Sequence, residues 1–358
     1  MDDNSRITDF LKELISLPGI SGYETPVAKA IAAHWKDLTD EIQITNVGNL
    51  YGIKKGSASK NGEKPHKIIL AAHMDGIGMV IDRFRGEMLH FAPIGGFDPR
   101  ILPGQQVLIH SGKETIPGVI VQLAPHLLSN PYKDKPVPLH ELVIDTGLEE
   151  EELRQRVQVG DIVSYANLPV ELPTDCIAGH SLDNRASVAA VTQTLIELQR
   201  FTHHWDVVAV GTTQEETTFL SHTVVHDLRP DLAIAIDVTF AKGPGVDGWR
   251  GKPLSSGPSI GYGANFHPKL VKELQSLSDS LGIATTKDYL PSRSGTDAEP
   301  IQNACGGVPT ALISIPLRYM HTPVEVISMK DILQTGHLMA EFIARLDQNF
   351  MNKIVWED

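Results

Sequence analysis

The chain has 358 residues, 41% of them apolar, and an excess of acidic side chains leaves it a net charge of −13. That length fits two domains or one domain with a large insertion, and the negative sign argues against a nucleic-acid partner, whose phosphates demand a basic face. No apolar run reaches the ~18–20 residues of a bilayer span, and the polar, acidic opening MDDNSRITDF is unlike a signal or transit peptide, so the expectation is a cytoplasmic protein with no membrane partner.

ITDFLKELISL spaces its apolar residues at helical intervals, and PVAKAIAAHWKDL does so again after PGISGYET. EIQITNVGNLYGIKK alternates and predicts a hairpin, and KKGSASKNGEK predicts a flexible loop. KPHKIILAAHMD is a continuous apolar run of strand length, suited to a strand covered on both faces. From Gly76 to Asp175 the texture changes to short β-like runs cut by Gly and Pro, as in APIGGFDPRILPGQQVLIHSGKETIPGVIVQLAP, with one acidic helix, LEEEELRQRV, and a strand at VGDIVSYA. Residues 76–175 are therefore expected to form a small β-rich domain inserted into a host made of residues 1–75 and 176–358. After AGHSLDNRAS the host resumes: ASVAAVTQTLIELQR predicts a helix, DVVAVGT and DLAIAIDVT strands, HPKLVKELQSLSDSLG a helix, VPTALISIPL a strand and MKDILQTGHLMAEFIARLD the closing helix. Strands alternating with helices imply an α/β fold with a mainly parallel central sheet covered by helices on both faces. Two cysteines, Cys176 and Cys305, are too few for a disulfide framework and are expected to be reduced thiols.

Acidic and imidazole side chains stand just past these apolar runs. His73 follows IILAA, Glu215 and Glu216 follow VVAVGTTQ, Asp237 follows AIAI, His321 follows TALISIPLRYM, and Asp183 opens the helix at Ala186. In an open α/β sheet the ligand crevice lies outside the carboxyl ends of the strands, where residues far apart in sequence can meet. Two histidines and three carboxylates suit a pair of divalent cations. The four positive charges would be matched by Asp183, Glu216, Asp237 and one bridging hydroxide. One glutamate of the pair would hold metal, and its neighbour would take a proton from the attacking water. Taken singly, each residue has a plainer role: Asp183 a helix N-cap, His73 a hydrogen-bonded rim histidine, Asp237 a strand end, Glu215 and Glu216 a solvated turn.

With AAHMDGIGMV, FAPIGGFDPRILPGQQV, IPGVI, GHSLDNRAS, TTQEE, AIDVTFAKGPG, SRSGTDA and RYMHTPVEV in this order, the chain resembles the tetrahedral (TET-type) dinuclear-metal aminopeptidases, the group that includes glutamyl and deblocking aminopeptidases. The match runs from about Ser21 to the last helix. The resemblance implies that Asp183 bridges two divalent ions, with zinc the default and cobalt or manganese fitting the same ligands. His73 and Asp237 would complete one site, Glu216 and His321 the other. Glu215 would be the general base, and Asp75 would accept a hydrogen bond from His73. It further implies a cis peptide at Asp183–Asn184, an inserted β-barrel-like domain serving as lid and oligomerisation module, and a homo-oligomer such as a tetrahedral dodecamer.

The implied activity is hydrolysis of the N-terminal peptide bond of peptides, with a bridging water or hydroxide as nucleophile. Ser294 and Asp297 are candidates for shaping substrate binding, with structural support as the alternative. His126 is a candidate for reaching a neighbouring subunit's site, with a plain surface position as the alternative. Two departures stand beside the site: Gly76, where the family commonly has Glu, and TTFLSH (217–222), where a glycine-containing turn is common. Other readings are a paired-metal dipeptidase or amide deacylase, a glycosidase, for which the two histidines are out of place, and a degenerate assembly subunit, against which the complete ligand set speaks.

Overall fold

The computed structural model of the protein describes residues 3–62, 64–112, 114–124, 126–127 and 135–356. Two amphipathic helices open the chain, α1 (Asp3–Ser16) and α2 (Thr25–Trp35). Their buried residues, Ile7, Phe10, Leu11 and Leu14 on one and Val27, Ala28, Ile31 and Trp35 on the other, recur every three or four positions. The antiparallel hairpin of β1 (Glu41–Ile44) and β2 (Leu50–Lys54) follows, then β3 (Lys67–His73). Between β2 and β3, where a flexible loop was expected, lies the one-turn helix α3 (Ser57–Lys60). Asp206 anchors it, accepting from the Gly56 N–H and the Ser59 hydroxyl at 2.8 Å each. A contact 150 residues away in sequence is invisible to composition.

Six strands then close into a barrel in the order β4-β5-β8-β7-β6-β9: β4 (Gly78–Arg85), β5 (Met88–Ile94), β6 (Gln106–Ser111), β7 (Glu114–Val121), β8 (Val143–Asp145) and β9 (Ile162–Tyr165), with α4 (Glu150–Arg156) between β8 and β9. Alternate residues of β7 are buried, as in a strand with one face inward. The barrel has its own apolar core, including Met79, Ile81, Phe91, Val107 and Val163.

The remaining elements are β10 (Val170–Leu172), β11 (Cys176–Gly179), α5 (Leu182–Glu197), β12 (Asp206–Thr212), α6 (His222–Leu228), β13 (Leu232–Phe240), β14 (Ser259–Tyr262), α7 (Pro268–Leu281), β15 (Thr286–Tyr289), α8 (Ala298–Asn303), β16 (Thr310–Arg318), β17 (Glu325–Ser328) and α9 (Met329–Ala344). Among the described residues the large sheet has eleven strands, running β1-β2-β12-β3-β13-β16-β17-β11-β10, with β14 on β16 and β15 on β14. β10, inside the segment expected to be inserted, is hydrogen-bonded into this sheet.

The expected parallel sheet is found in part. Parallel pairing holds for the central β12-β3-β13-β16 and for β14–β15, while the flanks are antiparallel, so the sheet is mixed. For three of the six antiparallel pairs among the described residues of this sheet the reason lies in the connections: β1–β2, β10–β11 and β16–β17 are joined by short turns, which can link only antiparallel neighbours. Helices lie on both faces. α1, α5, α7 and α9 pack into one apolar cluster, and α6 and α8 pack into another on the opposite side.

Candidate metal centre

The four parallel central strands deliver their carboxyl ends to one edge. β3 ends on His73, which pairs in register with Thr212, the last residue of β12. Beyond β12, Gln214 adopts a left-handed conformation (φ 57°) and turns the chain into Glu215 and Glu216. Asp237 sits within β13, and His321, also left-handed (φ 60°), lies in the turn between β16 and β17. Asp183 stands at the mouth of α5, where it and Asn184 are non-helical and joined by a cis peptide. The Asn184 side chain donates to the Ile236 carbonyl at 2.9 Å, tying this entry to the neighbouring strand.

The side chains converge in two overlapping groups. Ligand atoms of His73, Asp183 and Asp237 lie within 4.8 Å of one another, and so do those of Asp183, Glu216 and His321. Asp183 is common to both: its Oδ1 is 3.3 Å from His73 Nε2 and its Oδ2 is 3.4 Å from His321 Nε2. His321 Nε2 is also 3.3 Å from Glu216 Oε2, and His73 Nε2 is 3.9 Å from Asp237 Oδ1. Glu215 reaches the same centre, with Oε2 at 3.8 Å from His73 Nε2, but belongs to neither group.

Several carboxyl groups are buried together here, and burial disfavours their charged forms. It pushes the Glu215 carboxyl up to about 10, with Asp237, Asp297 and Glu216 adding repulsion and His73 opposing. Burial likewise raises Glu216 and Asp237. Hydrogen bonding to Asp183 and Glu216 raises the His321 imidazole to about 11. Burial opposes charge on His73, but Glu215, Asp183 and Asp75 outweigh it and raise that imidazole too. Asp183 is held below the ordinary carboxylate range by His321 and His73, against its burial. A cluster that draws protons onto its bases and acids alike is short of positive charge, and the nitrogen and oxygen donors are those that zinc, cobalt and manganese accept. The donor set fits divalent cations.

Other residues hold these donors in place. Asp75 is fully buried, lies 3.3 Å from His73 Nδ1, and accepts hydrogen bonds from the backbone N–H groups of Glu215 (3.2 Å) and Glu216 (3.1 Å). Glu325, at the start of β17, accepts from the Asp183 N–H at 3.1 Å and the His321 N–H at 2.9 Å. Arg185 is buried and donates to the carbonyls of Leu14, Leu17, Gly19 and Met74. It thereby fixes the segment after α1 against the residue following His73.

The reading of the sequence assigned no role to Glu325 or Arg185. For Glu325 a signal existed, its place four residues after His321. For Arg185, whose partners are all backbone carbonyls, none did.

Ser294 lines the cleft above the centre, about 630 Å³ in volume. Asp297 is buried and accepts a short hydrogen bond from Thr212. His126 is exposed in a turn and does not line the cleft. At Gly76 an added Cβ would come within 2.6 Å of Ser181 Oγ, so a larger residue there would require the Ser181 side chain to shift. In the 217–222 run, Thr217 pairs its hydroxyl with Ser21 at 2.8 Å, and Phe219 lines the cleft.

The sequence model of the M42 glutamyl aminopeptidases matches residues 48–338. A lysyl aminopeptidase of Pyrococcus furiosus is 31% identical over 345 residues, 94% of this chain and 97% of that protein. Among solved structures, the aminopeptidase APDkam598 from the archaeon Desulfurococcus kamchatkensis superimposes with a TM-score of 0.90 at 32% identity, covering 99% of this chain and 98% of the other. The TET1 peptidase of Pyrococcus horikoshii, which assembles into a tetrahedron or a large octahedral shell, superimposes with a TM-score of 0.82 at 27% identity over 95% of this chain and all of its own.

Proposed function

The chain belongs to the M42 glutamyl aminopeptidase family, metal-dependent exopeptidases, and from that premise we propose that it removes N-terminal residues from peptides at a dinuclear centre. His73, Asp183 and Asp237 would hold one divalent ion, Asp183, Glu216 and His321 the other, with zinc the first candidate and cobalt or manganese suited to the same donors. The observation that carries this reading is the position of Asp183, one carboxylate oxygen toward each histidine. Bound cations would supply Lewis-acid polarisation of the scissile carbonyl and activate water.

The chain's own residues do the rest. The Glu215 carboxyl, pushed up to about 10 by burial, would be ionised beside bound cations, and would then take a proton from the attacking water and return it to the leaving amine. Asp75 keeps His73 in one orientation and fixes the backbone of both glutamates. The free N-terminal amine would bind near the cations among these carboxylates, which would account for action at the chain end.

The barrel, residues 78–165, would act as lid and assembly module within a cytoplasmic homo-oligomer. The division of the chain at residues 75/76 and 175/176 belongs to the same reading.

The test is Glu215→Gln. Turnover of a free dipeptide amide should fall by about 10²–10⁴-fold, while bound metal, counted by atomic spectroscopy, stays at the wild-type ratio. Near-normal turnover in that variant would remove Glu215 as the base. Equal cleavage of free and N-acetylated peptides by the wild type would favour the deacylase reading.

A further inference from the structure

The cleft has a second wall, built by the end of β13, the loop after it, and β15. It is aromatic: Phe240, Trp249 and Tyr289 line it and are more than half exposed, with Leu312 buried behind. Such a concave apolar surface beside a reactive centre is suited to take a large apolar group.

One carboxylate interrupts it. Asp288 is the only acidic residue lining the cleft outside the candidate metal centre, among the described residues, and it is 8% exposed. Lys252, 3% exposed and not part of the lining, places its Nζ 3.5 Å from Asp288 Oδ1. The ammonium also donates to the Trp249 carbonyl at 3.1 Å. The Lys252 backbone is pinned as well, its N–H on the Phe240 carbonyl at 3.0 Å and its own carbonyl accepting from the Lys242 N–H at 2.6 Å. The cation is therefore held where it is and answers the carboxylate.

Among the described residues that line the cleft on this side the other charged one, Arg250, is exposed at the rim with its guanidinium 5.3 Å from the Trp249 ring centre, where solvent screens it. A bound side chain meets aromatic surface and no unanswered buried charge.

We propose that the Lys252–Asp288 pair sets the specificity of this cleft, keeping a wall carboxylate neutralised so that the N-terminal side chain accepted is large and uncharged, aromatic or branched aliphatic. This rests on the aminopeptidase reading above and adds the substrate class to it. A basic side chain finds no free carboxylate on the wall, and an acidic one must lose its hydration against aromatic rings. Removing either partner uncovers a charge of known sign. Lys252→Met leaves Asp288 to recruit lysyl and arginyl substrates, and Asp288→Asn leaves the ammonium to recruit glutamyl ones. The double variant uncovers neither.

The experiment uses the full-length, metal-loaded protein and its variants, with Phe, Leu, Lys and Glu p-nitroanilides as substrates. Calorimetric affinities for phenylalanine, leucine, lysine and glutamate hydroxamates are measured in parallel. The wild type should favour Phe and Leu over Lys and Glu by about tenfold or more in kcat/KM. Lys252→Met should raise its Lys-to-Leu ratio, and Asp288→Asn its Glu-to-Leu ratio, by about tenfold each. The double variant should return to the wild-type order.

Ratios within one variant do not depend on how much of it is folded, and Lys252→Gln replaces Lys252→Met if the latter aggregates. A wild type that prefers Lys or Glu, or single variants whose ratios stay put or move in the same direction, would overturn the assignment. If no anilide is turned over while the hydroxamate affinities follow the stated order, the peptidase reading fails and the wall assignment stands.

Discussion

Asp75 accepts two consecutive backbone amides, those of Glu215 and Glu216, and lies against His73 as well. One buried carboxylate thus aligns a candidate base and two candidate ligands, and the left-handed Gln214 before them supplies the turn. The neighbouring motif holds a second buried group with a measurable signature. Burial, helped by the nearby Arg185 cation, lowers the His180 imidazole to about 3. Folded protein therefore keeps His180 neutral down to that pH, whereas the unfolded chain protonates it below about 6.5.

Between these values the unfolded state binds the extra proton, so stability falls as pH drops through this window, by up to about 1.4 kcal/mol per unit from this group. Denaturant unfolding of the wild type and His180→Asn at pH 7.5, 6 and 5 should show a shallower acid loss in the variant. Parallel curves would mean that His180 is charged in the folded state or takes no part. At this scale the five candidate ligands could be picked out of the sequence, because four stand just past an apolar run and Asp183 opens a helix. The anchors could not. Glu325 and Arg185 bond to backbone atoms, Arg185 to carbonyls as much as 171 residues away, which no local spacing encodes.

At the scale of elements, the site is the product of four adjacent parallel strands and one helix entry. β17 closes it by carrying Glu325 under Asp183, common to both ligand groups, and His321, which belongs to one of them. Such supporting contacts orient the groups that hold a metal. Replacing the carboxylate by Ala leaves both amides without an acceptor, so Glu325→Ala should weaken metal binding by about 10–100-fold, read by titration against a competing chelator. Glu325→Gln, which keeps an acceptor oxygen, should lie between. Unchanged affinity in the Ala variant would make Glu325 a bystander.

The long helices were readable because their apolar periods run for eleven residues or more, and the central strands because they are unbroken apolar runs. The short α6 and α8 and the strands β14 and β15 were not, since four to seven residues carry too little periodicity. The mixed sense of the sheet was missed for a different reason. Strand direction follows the connections, and three of the flanking ones are turns rather than crossovers.

For the molecule as a whole, the barrel and the sheet keep separate apolar cores. No described helix is long and apolar enough to cross a membrane. An assembly of many copies is the expectation carried by the resemblance, and a shell-forming relative matches over 95% of the chain. Light scattering on the purified protein should therefore return a mass many times that of one chain, twelvefold for a tetrahedral shell. A monomer at micromolar concentration would end the proposal of an assembly module.

The two sides of the cleft are fastened in unlike ways. Around Asp183 and the paired glutamates, hydrogen bonds from main-chain amides converge on buried acids, and a displaced residue there would drag its neighbours with it. Opposite, the 240–252 segment and the end of β15 present rings that are more than half exposed. Descendants of this chain are therefore free to change diet by editing the loose bank while the reacting bank stays as it is, and catalytic power and appetite can evolve on separate schedules.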